Sequence, residues 1–402
     1  MRAAGGGGAD YPPAAMSPPE LRRIAAFDWM RGLVMILMAV DHASQTWNAG
    51  RFAADSAYLL DPTSGNPVWM PGDELEPLQF LTRWITHLCA PTFLFLSGTS
   101  LAMSLEKRRR EGMSEWDLDR HLLIRALVIL GFEGLLSLLA AQGVLILQVL
   151  FAIGASMIAM IGIRRLPTRA LVALALLWLA GSELVLRHFF PIGPGERPLW
   201  QHLLFVPVYG SPVTVLYPMS HWLAMMVLGW AFGRFRLEQP ADEHGAQQVE
   251  KLLLLSGLTA LLAWAYLRSR NAYGNMGLLR DDTAVLQWLH VSKYPPALTF
   301  VCLELGLMAL LLVVFLRYER RMRSGPNRWN PLLVFGQTAL FFYVLHFPML
   351  GFAAIGITGG LMQRGLTETW LAALVVLVVL YPICLGFRAL KRRHPRSLLQ
   401  YI

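Results

Sequence analysis

Asp41 and His42 are neighbours at the end of an apolar stretch, a pairing suited to acid–base chemistry. An imidazole changes charge near neutral pH, and an adjoining carboxylate can orient it and stabilise its cationic form. Asp28 and Arg31 stand at the other end of the same stretch, which reads Asp28-Trp-Met-Arg-Gly-Leu-Val-Met-Ile-Leu-Met-Ala-Val-Asp-His42. Arg31 and His42 are separated by about three helical turns, roughly 16 Å, with both side chains near one face. Ionisable groups on an apolar helix are costly to bury, which makes them candidates for function. Asp28 and Arg31, at i and i+3, are expected to form a structural ion pair.

Further polar groups recur in apolar surroundings. Arg83 and His87, at i and i+4, share a helix face. His221 with Trp222, Tyr343 with His346, and the loop residues Arg280, Lys293 and Tyr294 complete the set. The histidines lack an H-x-x-x-H or carboxylate–histidine spacing, so no metal site is expected. Ser97-Gly98-Thr99-Ser100 supplies small residues for close helix approach.

These residues must be positioned by membrane helices. The chain is 55% hydrophobic and 15% charged, with mean hydropathy +0.46, whereas soluble domains carry about 25% charged residues. An all-α, polytopic membrane helix bundle is expected. Apolar runs long enough for about 30 Å of hydrocarbon fall near 29–47, 80–104, 121–140, 143–163, 169–188, 214–234, 252–268, 297–316, 331–356 and 370–390, ten in all. The stretch 189–213 has room for a re-entrant or interfacial piece. A Gly/Ala/Pro-rich tail over 1–20 is expected to be disordered. It precedes a single transmembrane domain over 21–396 and a short C-terminal tail over 397–402.

Basic residues set the orientation. Arg22–Arg23, Lys107–Arg110, Arg164–Arg165, Arg234 with Arg236, Arg317–Arg323 and Lys391–Arg393 fall in one set of loops. Lys and Arg remain cytoplasmic, so both termini are expected inside and the loops 48–79, 189–213, 269–296 and 357–369 outside. His42, His87, His221 and His346 then share one depth near the outer surface. The net charge of +9 is dispersed in these clusters, which argues for membrane orientation and against a nucleic-acid partner. Cys89, Cys302 and Cys384 all lie in apolar stretches, and no disulfide framework is expected. The acidic, Pro/Gly-interrupted loop 48–79 is read as a solvated connection in preference to a lid.

Several segments together resemble one family. They are Asp28-Trp-Met-Arg-Gly, Met38-Ala-Val-Asp-His42, Arg83-Trp-Ile-Thr-His-Leu-Cys-Ala-Pro-Thr-Phe-Leu-Phe-Leu-Ser-Gly98, Tyr217-Pro218 with His221-Trp222 and Gly229, Ser292-Lys-Tyr-Pro-Pro296, and Gly336 through Phe342-Tyr-Val-Leu-His346. They are similar to bacterial members of the family named for the catalytic domain of heparan-α-glucosaminide N-acetyltransferase. An Arg followed eleven residues later by His also resembles the first span of the wider transmembrane acyltransferase superfamily. The resemblance implies transfer of an acyl group, usually acetyl from acetyl-CoA, to an acceptor across the membrane. It also implies a multi-pass protein of a bacterial cytoplasmic membrane. The chain departs from the heparan enzymes in one respect. They have asparagine where His42 stands and a catalytic histidine in the first outer loop, and residues 43–86 here contain none. That moves the catalytic role to His42 or sets this chain in a branch with different chemistry.

Such a reaction needs a base for the acceptor proton and donors for the oxyanion. His42 is the expected base, oriented by Asp41, with His87 as a further catalytic candidate. Lys293 and Tyr294 are candidates for the oxyanion or the substrate. Arg83, His221, Trp222, Tyr343 and His346 are expected around the acceptor, and Arg31 or Arg280 around CoA. The expected partners are membrane lipids and a small-molecule or glycan acceptor; the sequence leaves the oligomeric state open, a homodimer being one option. The competing class is a proton-coupled transporter using the same charges. It is disfavoured because no internal repeat duplicates the Asp-His or Arg-x-x-x-His signatures.

Overall fold

The computed structural model describes residues 24–61, 64–140, 143–192, 197–210, 212–322, 325–394 and 397–401. The expected N-terminal tail and Arg22–Arg23 lie outside them. The helices run α1 (Ala25–Trp47), α2 (Pro77–Trp84), α3 (Cys89–Arg110), α4 (Glu115–Ala140), α5 (Val149–Ile163), α6 (Thr168–Phe189), α7 (Leu199–Leu204), α8 (Met219–Glu238), α9 (Glu243–Arg270), α10 (Val285–Leu289), α11 (Leu298–Arg321), α12 (Pro331–Gln337), α13 (Ala339–Thr358) and α14 (Leu366–Arg393). Two three-residue strands, β1 (Leu145–Leu147) and β2 (Val213–Val215), pair in parallel with Ile146 opposite Thr214.

Seven segments among the described residues are long and apolar enough to cross a membrane: Pro77–Arg110, Glu115–Leu139, Thr168–Phe189, Glu243–Arg270, Leu298–Arg321, Ala339–Thr358 and Leu366–Arg393. The other three expected spans coincide with helices of different character. α1 carries Asp28, Arg31 and Asp41, α5 has 15 residues, and α8 ends on Arg234, Arg236 and Glu238. Several expected runs are also broken. The 80–104 run divides at Ile85–Leu88, the 331–356 run divides at Thr338, and the 143–163 and 214–234 runs begin as strands. Hydropathy reports what a segment is buried in, and these breaks supply backbone groups to a protein-lined interior where irregular backbone is tolerated. The 189–213 stretch contains the six-residue α7.

Chain-end chemistry is met locally. Glu76 caps α2, accepting from Gln79 N at 2.6 Å, with Pro77 in the first turn. Asn330 and Pro331 do the same for α12, as these residue types favour. α1 is capped from a distance: the Glu319 carboxylate of α11 accepts Ala25 N and Ala26 N, each at 2.9 Å. A carboxylate there also complements the helix dipole.

α1 is the hub, packing on α3, α11, α12, α13 and α14. Glycines set the closest approaches. Gly98 of α3 lies on the Met226 backbone of α8, while Gly229 of α8 lies on the Phe95 backbone, and any Cβ at either position would collide. Thr99 Oγ1 donates across this contact to Gly229 O at 3.0 Å. The Ser97–Ser100 segment therefore has the packing role expected of it. The outer helices instead expose leucine, for example Leu255, Leu258 and Leu262 of α9.

Candidate active site

α1 delivers Asp41 and His42 to the wall of a cavity of about 90 Å³. Arg83 of α2, the loop residues Arg51 and Asp55, Lys293, and Tyr343 of α13 also reach it. His42 is held by a second histidine. Its Nδ1 lies 2.7 Å from His346 Nε2, with the two rings within 11° of parallel. His346 Nδ1 lies 3.0 Å from the Phe342 carbonyl, which can only accept, so Nδ1 is the donor. Neutral His346 then presents a lone pair at Nε2, His42 donates through Nδ1, and His42 Nε2 retains its own lone pair. The His42 side-chain hydrogen bond among the described residues is this one through Nδ1, and His42 lines the cavity.

Asp41 does not orient His42. Its Oδ1 accepts from Arg51 Nη2 and Arg83 Nη1, both at 2.8 Å. Arg83 continues to Asp55, donating to Oδ2 from Nε at 3.0 Å and Nη2 at 2.7 Å. His87 Nε2 lies 3.1 Å from the same oxygen. Arg83 and His87 thus converge on Asp55 even though the helix breaks between them. Burial disfavours ionised Asp55, but the Arg83 guanidinium and the His87 hydrogen bond outweigh it and hold the carboxyl well below its usual range. Tyr294 OH accepts from Arg83 Nη2 at 3.1 Å, and the Tyr294 ring meets Tyr217, which rests on Trp222. Lys293 N donates to Asp55 O at 2.9 Å, joining the first loop to this wall. The 48–79 loop is therefore no mere connection. Arg51 and Asp55 build the site, and neither was identifiable from sequence because loop residues carry no periodicity.

A second cavity, of about 240 Å³, lies further back along α1. Arg31, Arg125 and Lys391 line it, and it shares Tyr343 and Val149 with the first. Arg31 forms the expected ion pair with Asp28 at 3.0 Å and also reaches Ser100. Tyr401, from the C-terminal segment, lines this cavity and lies tilted against His121, 5.1 Å between centroids. Tyr343 stands edge-on to His42, with ring centroids 5.8 Å apart.

The remaining candidates are placed elsewhere. His87 and His346 stand behind Asp55 and His42. His221 is fully buried against Trp178, 5.5 Å between centroids, and does not line the cavity. Of the four histidines read as sharing a depth, only His42 and His346 touch. Arg280 lies over Trp288, 4.3 Å from its centroid, and donates to Arg268 O at 3.0 Å. Arg268, fully buried, gathers Asn275 Oδ1 and the carbonyls of Leu278, Gln287 and His290, and so folds the 271–290 loop. That role too was missed in the sequence.

No curated protein matches the chain. The sequence profile of the catalytic region of heparan-alpha-glucosaminide N-acetyltransferase does, over residues 73–269. The match takes in Arg83, His87 and Tyr217, whereas His42, Lys293 and His346 fall outside it. Over this segment the chain is similar to the heparan-α-glucosaminide N-acetyltransferase catalytic-domain family, a family of membrane acetyltransferases.

Proposed function

We propose that the protein transfers an acetyl group from acetyl-CoA, entering by the Arg31–Arg125–Lys391 cavity, to a hydroxyl or amine in the His42 cavity. The carrying observation is the His42 Nδ1–His346 Nε2 bond of 2.7 Å at the cavity wall, which leaves a basic Nε2 facing the acceptor space. The basic residues of the larger cavity suit the phosphates of CoA. The distribution of Lys and Arg among the loops supports an orientation with that cavity on the cytoplasmic side and the acceptor outside, and the proposed membrane is a bacterial cytoplasmic one. His42 Nε2 takes the acceptor proton as the acceptor atom attacks the thioester carbonyl carbon. The Tyr343 hydroxyl, at the junction of the two cavities, donates to the oxyanion. Collapse breaks the C–S bond, and the CoA thiolate takes the proton back from the His42 imidazolium.

The test is acetyl-CoA binding and acetyl transfer by the purified full chain and by His42→Ala. The variant should bind acetyl-CoA, melt like the wild type and transfer nothing measurable. Near-normal turnover in His42→Ala would remove His42 from the chemistry. Absence of acetyl-CoA binding to the wild type would remove the acyltransferase reading and leave a permease, which has no need of that donor.

A further inference from the structure

The charges around the His42 cavity do not balance. Three cations, Arg51, Arg83 and Lys293, meet two carboxylates, Asp41 and Asp55. Asp41 engages Arg51 and Arg83, and Asp55 engages Arg83. Lys293 is left over. It lines the cavity, is 2% exposed, and makes no ion pair or side-chain hydrogen bond to a described residue. Among the described residues its Nζ has ring contacts, 5.8 Å from the Tyr217 centroid and 5.3 Å from that of Tyr294, while the carboxyl groups of Asp41, Asp55 and Glu304 act on it at longer range without forming an ion pair. The bond from Lys293 N to Asp55 O fixes the backbone beneath it. A buried ammonium without a counter-ion is costly, and aromatic contact offsets only part of that.

We propose that Lys293 is the counter-ion for an acidic acceptor, one bearing a single compact anion, carboxylate or phosphate, beside the hydroxyl or amine that His42 deprotonates. The word acceptor rests on the acyltransferase reading; the anion site does not. The CoA phosphates have basic residues in the other cavity, and the small volume here suits a compact anionic group. Glu304 of α11 is the one competing partner to be tested: it is buried, its Oε1 is unbonded, and it does not line the cavity.

Acetate and inorganic phosphate, with acetamide as the uncharged control, are titrated against the detergent-purified full chain while its melting temperature is followed. Wild type and Lys293→Arg should be stabilised saturably by acetate or phosphate and not by acetamide. Which of the two anions acts identifies the acidic group. Lys293→Met should weaken the response at least tenfold, yet melt no lower than wild type without ligand, because an unpaired buried charge has gone. Glu304→Gln should leave the response unchanged. No anion response in wild type, an undiminished one in Lys293→Met, or one that appears only in Glu304→Gln overturns the proposal. The last outcome would mean that Glu304 already neutralises the lysine. Acetyl-CoA binding on the same preparations separates the two readings. If it persists without an anion response, the acidic acceptor fails alone; if it is absent with an anion response, the acyltransferase reading fails and the anion site stands.

Discussion

At the residue scale, the chemistry depends on which nitrogen of His42 carries the proton. Sequence adjacency made Asp41 the natural orienter, but successive helical residues point about 100° apart, and the Asp41 carboxylate is committed to Arg51 and Arg83. His346, 304 positions away, does the orienting. In the proposed reaction it is a positioning residue, and its loss should differ from that of His42. His346→Ala leaves the His42 Nδ1–H without an acceptor and both tautomers open. Transfer should fall roughly 10²-fold, with the KM for acetyl-CoA unchanged and the acidic limb of the pH–rate profile displaced. His346→Gln can offer a carbonyl oxygen to Nδ1 and should recover part of the rate. Equal losses in Ala and Gln variants, with an unmoved pH profile, would reduce His346 to packing.

At the element scale, the 271–290 loop is folded by buried Arg268 and fastened to the first loop by buried His290. His290 Nε2 donates to Ala54 O at 2.8 Å, and Lys293 N bonds Asp55 O, so the loop secures the segment that carries Asp55. Burial pushes His290 down to about 4, against the pull of the Ala54 carbonyl, whereas an unfolded histidine titrates near 6.5. The unfolded chain therefore binds the extra proton first. The stabilising contribution is complete above pH about 6.5 and is lost as pH falls toward 4, by about 1.4 kcal/mol per unit. His290→Gln keeps a donor for Ala54 and removes the titration. Its melting temperature should depend less on pH than that of the wild type between 6.5 and 4, with the curves converging toward the acid end. Parallel curves would exclude His290 as the source. Little of this element was legible in the sequence. Arg280 and Lys293 stood out as charges, but Arg280 turns onto Trp288, and nothing distinguishes Arg268 in sequence from Arg270 in the same last turn of α9. The helices themselves were legible, because the apolar runs are long. Their breaks at Ile85–Leu88 and Thr338 were not, because hydropathy does not register where a buried backbone is bonded.

At the scale of the whole molecule, the two cavities meet along α1, one beside Arg31 and Met35, the other beside Met38 and His42. The spacing of Arg31 and His42 anticipated this polar stripe, but not the partition that divides it. Tyr343 is buried at that junction and lines both spaces. A thioester reaching the junction from the larger cavity must be exposed to the acceptor and shielded from water, since water is also a nucleophile once His42 can deprotonate it. An aromatic ring with a hydroxyl serves both needs, and two substitutions separate them. Tyr343→Phe retains the ring and loses the oxyanion donor. Transfer should fall roughly 10²- to 10³-fold, and release of free CoA thiol without acceptor should fall with it. Tyr343→Ala opens the partition, so thiol release per transfer event should rise although transfer is lower than in wild type. Quantifying free thiol against acetylated product in both variants decides the matter. A ratio unchanged in Tyr343→Ala would show that water is excluded elsewhere, and the separation of donor from acceptor would then rest on the fit of the substrates and not on this residue.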